Sequence, residues 1–397
     1  MSDRALTPNR PLLHVSWRTT LAVLGILSFA WALMVNREWS FGGVGVLTSD
    51  TALYHDLIEK AVGGSLPYFD LGFEHFPLML VPMAGALIVS TVAGLHYTVG
   101  FAAVMLVLLF LIGETVARLG RRLGIEDGAR RWLLVAGPLF PLVLFRLDAV
   151  PTLLAVLALY LAVTERERGS IAATFGGILA KGWPVVLAAT EWWRGRRGRA
   201  VGYVAFTGIL GLSLLATPGF REGRQFVGVH METLTGSLLV TWRLLTGTPT
   251  GIVGAAGATY VEAGTWATIA NALVGLGIGL TALLVLRTKF DWLGAVALTG
   301  VLTFAVMFAS PLLSAQFLIW PTPFLALAAS RRVRWLAATA ALLTTLLFSV
   351  WTYDALWWNL GLVARNLLLL GAAVAFTAGL VNTRDQSSSD SRKNLPV

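Results

Sequence analysis

Runs of 15 to 20 uninterrupted or nearly uninterrupted apolar residues recur along this chain, at 21–35, 98–112, 267–286 and 336–350. A chain built this way must hide those runs in lipid or in protein. Their residues do not alternate in polarity, as the segments of about ten residues in a membrane barrel do. They are helix-compatible and approach the roughly 20 residues that a helix needs to cross a hydrocarbon core. Charged residues make up only 13% of the chain, against about 25% in ordinary soluble domains. The expected fold is therefore all-α: a polytopic integral membrane protein in a cell membrane, with the lipid bilayer as its principal surroundings.

Basic residues give the orientation. Arg4, Arg10 and Arg18 precede the first apolar run; Arg194, Arg196, Arg197 and Arg199 form a second cluster, Arg331, Arg332 and Arg334 a third, and Arg384 opens the tail. Cytoplasmic loops of membrane proteins carry such an excess, so these stretches and both termini are expected on the cytoplasmic side. The net charge of +9 is spread over these short loops, and no nucleic-acid partner is expected. The first run is followed by Asn36-Arg37-Glu38-Trp39 rather than by small residues, so it reads as a retained span and not a cleaved signal. From Arg199 onward the spans fall near 200–217, 266–287, 291–309, 315–330, 335–353 and 358–381, with an outer region at 218–265.

The middle of the chain is constrained by the same rule. If every apolar segment between 76 and 190 crossed fully, Arg118, Arg121, Arg122, Arg130 and Arg131 would lie outside. The charge pattern is met if one segment between 76 and 117, and the segment 171–190, enter and return. Lys181-Gly182-Trp183-Pro184 supplies a helix break in the second of these. The organisation expected is one membrane domain, 1–383, of about 10–12 transmembrane helices, with a first extracytoplasmic loop at 36–75 and the second outer region at 218–265. The polar stretch 384–397 is expected to be a disordered cytoplasmic tail.

The first outer loop is where acids gather. Asp50, Asp56, Glu59, Asp70 and Glu74 are five of 21 carboxylates. A helix starts here, with Ser49 or Asp50 as its cap, and Gly63-Gly64-Ser65-Leu66-Pro67-Tyr68 ends it before Phe76-Pro77 leads back toward the membrane. Asp50 is either that capping acid or a general base at the membrane surface, where partial burial raises carboxylate basicity.

The order D-x-x-x-Y (Asp50, Tyr54), G-x-x-P-Y (Gly64 to Tyr68), then an acid and Pro77 resembles the first extracytoplasmic loop of glycosyltransferase family 87. These are polyprenyl-phosphate-mannose-dependent mannosyltransferases of the GT-C superfamily. Further along, Arg146-Leu147-Asp148-Ala149-Val150-Pro151 resembles the R-x-D-x-x-P turn of the actinobacterial type. Gly177 to Pro184 resembles G-x-x-x-K-x-x-P, and Ser310-Pro311 with Gln316, Trp320 and Pro321 resembles a late S-P-Q-x-x-x-W-x-x-P segment. The resemblance runs from residue 17 to about 330, in order. The family's Tyr-Pro-Pro stands here as His75-Phe76-Pro77, and four extra residues separate Pro311 from Gln316. The resemblance implies a GT-C-like bundle that takes mannose from a polyprenyl phosphate donor and passes it, outside the cytoplasm, to a lipid-linked or cell-envelope glycan acceptor. It implies Asp50 as the catalytic base, and Tyr54, Tyr68, Glu74, His75, Arg146, Asp148, Lys181, Glu232 and Gln316 as donor-phosphate or substrate-binding residues.

Chemistry supports that assignment without requiring it. A lipid phosphate departs without a proton donor, so one carboxylate suffices to deprotonate an attacking hydroxyl, and the product is inverted. Lys181 stands in an apolar segment, where a charge is by default functional; it contacts phosphate, snorkels to the interface or pairs with Asp148. Arg146 and Asp148 either pair with each other or grip a phosphate and a sugar hydroxyl respectively. Glu232 caps or solvates a loop helix, or is a second active-site acid. Trp183, Trp320, Trp357 and Trp358 read as interfacial belt residues. His55, His75 and His230 lack the spacing of a metal site, and no metal or cofactor is expected. The competing function is a multi-span transporter or flippase of a lipid or glycolipid, whose sites lie on broken helices.

Overall fold

A computed structural model describes residues 15–38, 47–223, 228–255, 258–285, 291–350, 352 and 354–393. Arg4, Arg10, Trp39, Arg224 and the last four residues of the tail lie outside the described residues. Among the described residues six helices are long and apolar enough to cross a membrane, and shorter apolar helices accompany them at Pro77–Ala93, Ala149–Val163 and Ala315–Ala328.

The chain shuttles between two faces. Helix α1 (Trp17–Glu38) rises from the first, and α2 (Ser49–Val62) lies on the second. The N-cap of α2 is Thr48, not Ser49 or Asp50, and the Thr51 hydroxyl donates to its carbonyl at 2.7 Å. Asp50 is therefore inside the helix, one turn before Tyr54. Gly63 caps the other end, and Gly64, at φ 101°, turns the chain in the left-handed region as the glycine pair suggested. After a 3-10 turn at Pro77–Met79, α3 (Leu80–Ala93) and α4 (Tyr97–Arg122) form a hairpin. Tyr97 stacks on His55 of α2 at 4.5 Å, and the Thr98 and Thr51 hydroxyls are 3.0 Å apart. The turn from α3 into α4 thus lies beside α2, on the face we call the loop face.

Helix α4 descends antiparallel to α1, and Arg18 of α1 pairs with Glu114 at 2.8 Å. The way back up is broken: α5 (Gly128–Ala136), a 3-10 turn at Gly137–Leu139 and α6 (Phe140–Val143). Pro138 and Pro141 each remove a backbone donor there. Helices α7 (Ala149–Val163) and α8 (Glu167–Lys181) form a second hairpin, and the chain then turns over Gly182 into a 3-10 turn at Trp183–Val186 and α9 (Leu187–Trp193). Arg194 bonds Glu167 at 2.6 Å, and Arg196 and Arg199 bond the same carboxylate. The two ends of 167–194 therefore meet on the opposite, basic face.

Helix α10 (Arg197–Ala216) climbs to α11 (Pro218–Gly223) on the loop face. Gly219 donates its N–H to Tyr68 O (2.9 Å) and accepts from Phe73 N–H (3.1 Å), which fastens the first loop to α11. A Cβ at Gly219 would lie 2.1 Å from Leu71 O, so only glycine allows this approach. The stretch 218–265 also holds β1 (Val229–His230), α12 (Leu234–Thr246), β2 (Ile252–Ala255) and β3 (Ala258–Val261). The strands form an antiparallel sheet of order β1-β3-β2, with His230 opposite Tyr260. Apart from this small sheet the described elements are helical, in keeping with the all-α expectation; strands this short carry no readable periodicity.

Helix α13 (Thr265–Val285) descends and α14 (Trp292–Ala309) ascends. Of the α14 span 72% is buried, against 17% of α10, so α14 is a central post and α10 a peripheral helix. A 3-10 turn at Ala315–Ile319 and α15 (Thr322–Ala328) lead down, α16 (Arg331–Ser349) leads up, and α17 (Leu356–Lys393) closes the bundle. Helix α17 extends into 384–393, where disorder was expected; extending a helix already nucleated gains one hydrogen bond per residue.

Candidate functional site

Four segments of the loop face converge: α2, the turn between α6 and α7, the end of α8, and the 3-10 turn at Ala315–Ile319. Asp50 points from α2 toward Arg146, whose Nε lies 3.1 Å from Asp50 Oδ2. The Tyr54 hydroxyl donates to the same oxygen at 3.3 Å. Arg146 is buried, and its Nη1 also bonds Leu47 O (3.3 Å) and Phe145 O (3.2 Å), so the guanidinium is aimed by backbone. Of the two readings of Arg146, the one that pairs it with Asp148 is replaced by pairing with Asp50. The turn 145–148 sends the two side chains to different partners.

Asp148 instead takes Lys181. Lys181 Nζ donates to Asp148 Oδ1 at 2.8 Å, and Trp320 Nε1 donates to the same oxygen at 2.6 Å. Of the readings of Lys181, pairing with Asp148 is the one seen. The ammonium also lies 4.1 Å from the Phe317 ring centroid and 5.0 Å from that of Trp320, a cation–π setting that gains strength on desolvation. Trp183 and Phe317 stack on Trp320, at 5.3 and 4.1 Å. Trp183, Trp320 and Trp358 are buried rather than interfacial; Trp357 remains exposed, as a belt residue should. For two of them the indole N–H serves a buried acceptor instead of a lipid headgroup: Trp320 serves Asp148, and Trp358 donates to Leu347 O; Trp183 is held by its stacking on Trp320.

Tyr54 sits at the centre of the acids. Burial, then the negative charge of Asp50, push its phenol well above the usual tyrosine range; Asp148 and Glu74 act in the same sense, and Arg146 opposes them. It is a neutral donor at physiological pH. His75 meets Tyr54 edge-on at 5.4 Å, and its backbone carbonyl accepts from the Tyr68 hydroxyl at 2.7 Å. Tyr68, held at φ 72°, is a brace of the loop, and burial raises its phenol as well. Gln316 occupies the 3-10 turn that carries Phe317, and its Oε1 accepts from the Ser314 hydroxyl at 2.6 Å. Asp50, Tyr54, Glu74, His75, Arg146, Asp148 and Lys181 are thus brought together, with Tyr68 supporting from behind.

Glu232 belongs to a buried network beside this group. It neither caps nor solvates a helix; Thr233 caps α12 through a bond from Gly236 N–H. Arg365 of α17, fully buried, places Nη1 3.2 Å from Glu232 Oε2 and Nη2 2.5 Å from Glu232 O. Asn366 Nδ2 bonds Glu232 O, Thr233 O and Ser237 Oγ. Burial raises the Glu232 carboxyl to about 7, against the opposing pull of Arg365 and, more weakly, of Arg146. Burial and Arg365 lower the neighbouring His230 imidazole to about 4. Sequence reasoning missed Arg365, although one Arg within an apolar span is a signal by itself.

The part of the site open to solvent is small. Asp50 keeps 30% of its side chain exposed while Asp148 keeps 4%, so of the two aspartates Asp50 is the one a substrate can reach. It combines a reachable carboxylate with two cations, Arg146 and Lys181, each already held by an anion that a phosphate could displace. Comparison with protein-family models, with curated proteins and with solved structures finds no match.

Proposed function

We propose that this protein is a GT-C-type membrane glycosyltransferase that transfers a sugar, most simply mannose, from a polyprenyl phosphate to a lipid-linked or cell-envelope glycan on the extracytoplasmic side. The observation that carries this reading is the Asp50–Arg146 pair: a partly exposed carboxylate held 3.1 Å from a buried guanidinium on the loop face. The ordered motif resemblance supplies the donor class.

In the proposed reaction Asp50 accepts the proton of the acceptor hydroxyl as its oxygen attacks the anomeric carbon. The bond from that carbon to the phosphate oxygen breaks, and its electron pair leaves with the polyprenyl phosphate. No acid is needed, and the anomeric configuration inverts. Arg146 provides forked donors suited to phosphate oxygens, and Lys181 a point charge. A donor phosphate that draws Arg146 away from Asp50 would also release the carboxylate oxygen that accepts the proton. Donor binding would then arm the base. Tyr54, neutral, stays a hydrogen-bond donor to Asp50.

The test uses vesicles carrying the protein and polyprenyl phosphate bearing radiolabelled mannose. The expected result is label in an extractable acceptor with the anomeric configuration inverted. No transfer, or transfer with retention, overturns the assignment. A second reading, a lipid or glycolipid transporter, draws on the broken segment 167–194, whose turn at Gly182 brings Lys181 and Asp148 together. Movement of labelled glycolipid across the vesicle bilayer without chemical change would favour it.

A further inference from the structure

On the loop face, Arg243 of α12, Glu262 after β3, and Trp266 in the first turn of α13 line an open depression of about 460 Å3 together with Ala263 and Gly264. That volume falls within the range of small-molecule sites. The guanidinium is fixed by carbonyls, not by a carboxylate: Nη1 bonds Thr250 O at 2.6 Å and Nη2 bonds Glu262 O at 2.8 Å. Gly251, at φ 59°, wraps so closely that a Cβ there would lie 2.6 Å from Nη1. Glu262 is tied in by its backbone, its N–H donating to Gly251 O at 2.8 Å, while its side chain is exposed. Among the described residues neither Arg243 nor Glu262 takes part in an ion pair. One depression thus presents a held cation, a carboxylate and an indole.

The surface beside it is apolar and continuous. Trp266 is 57% exposed, and Ile269, Leu273, Leu276 and Leu280 follow at helical spacing along the same side of α13, each more than half exposed. Trp242 and Leu245 of α12 are exposed too. A ligand that fits has an anionic group for Arg243, a cationic group for Glu262 and the Trp266 ring, and a hydrocarbon tail for the stripe. A purely anionic headgroup would bring uncompensated charge toward Glu262.

We propose that this depression binds the headgroup of a zwitterionic glycerophospholipid, its phosphate on Arg243 and its ammonium on Glu262 and Trp266, with an acyl chain along α13. The phosphate meets a guanidinium already oriented, and the ammonium meets both a carboxylate and an aromatic face. The site is separate from the Asp50 group and does not depend on the transferase reading.

The full-length protein is extracted into mixed micelles holding equal amounts of phosphatidylethanolamine, phosphatidylcholine and phosphatidylglycerol, and the retained lipids are counted by native mass spectrometry. Wild type is expected to retain the two zwitterionic lipids about threefold to fivefold over phosphatidylglycerol, the size of one exposed ion pair. Glu262→Gln, whose backbone bonds persist, is expected to lose that preference, and Trp266→Ala to lose retention of both zwitterionic lipids. Preferential or equal retention of phosphatidylglycerol by wild type, or an unchanged preference in Glu262→Gln, overturns the proposal.

Discussion

Replacing Arg365 with Met removes the cation from the most deeply buried ion pair described. Glu232 is 2% exposed and Arg365 fully buried, so neither water nor salt screens them. In the variant, Glu232 Oε2 loses a guanidinium at 3.2 Å, and Asn366 Oδ1 loses donors at 3.2 and 2.9 Å. Glu232 O keeps Asn366 Nδ2 at 3.1 Å. Breaking one side of a buried pair costs about 3–5 kcal/mol. Glu232 has an escape, because its carboxyl sits at about 7 even with Arg365 pulling it down: without the cation it rises further and keeps its proton through the pH range in which the wild-type carboxyl loses it. The cost is therefore expected to be larger at pH 8 than at pH 6 by about 1–2 kcal/mol, at 1.4 kcal/mol per pH unit above the wild-type value. The double variant Arg365→Met, Glu232→Gln is expected to recover most of the loss at pH 8. Equilibrium unfolding in mixed micelles, followed by tryptophan fluorescence, measures all four corners of the cycle. An Arg365→Met protein within about 0.5 kcal/mol of wild type at pH 8, or strictly additive single variants, would refute the reasoning.

Three further outcomes follow from the geometry. Gly219→Ala drives a Cβ into the backbone of Tyr68 and Leu71; it should detach the 68–73 loop from α11, seen as faster limited proteolysis within 63–76, with α-helical content unchanged. Lys181→Met takes the ammonium from Asp148, 4% exposed, and leaves it the Trp320 N–H; a loss of about 3–5 kcal/mol is expected, and the added variant Asp148→Asn should reduce it. His230 and Glu232 should give opposite pH dependences. In Glu232→Gln, the lowered His230 makes stability rise between pH 4 and 6.5, because the unfolded chain binds the proton more readily there. In His230→Gln, the raised Glu232 makes stability fall between pH 4.5 and 7; each slope is at most about 1.4 kcal/mol per pH unit. Matching slopes in the two variants would contradict both environments.

Much of this architecture is legible in the residues because it rests on local properties. Apolar runs mark α1, α4, α13 and α16, and the charge of Arg118 to Arg131 already requires segments that return to the face they left. The glycines at 63 and 64 and the break after Lys181 act within a few residues of themselves. What the sequence does not disclose is pairing over long separations. Arg146 meets Asp50 rather than Asp148, two residues away, because turn 145–148 divides their side chains. Arg365 and Glu232 stand 133 residues apart, and no spacing encodes that contact. Trp320 is likewise a donor to an acid 172 residues distant. Composition gave it the appearance of a membrane-interface residue. The three-stranded sheet escapes notice because its strands of two to four residues are too short to show a period.

The transferase account stands on Asp50, and single-turnover transfer by Asp50→Asn tests it most directly. Asn keeps the size of the side chain and an acceptor for Tyr54 and Arg146, but it cannot take a proton. With polyprenyl-phosphate-mannose bound and circular dichroism matching wild type, transfer is expected to fall by about 10²–10⁴-fold, the contribution of a positioned general base. Transfer at the wild-type rate by a folded Asp50→Asn protein would contradict the account.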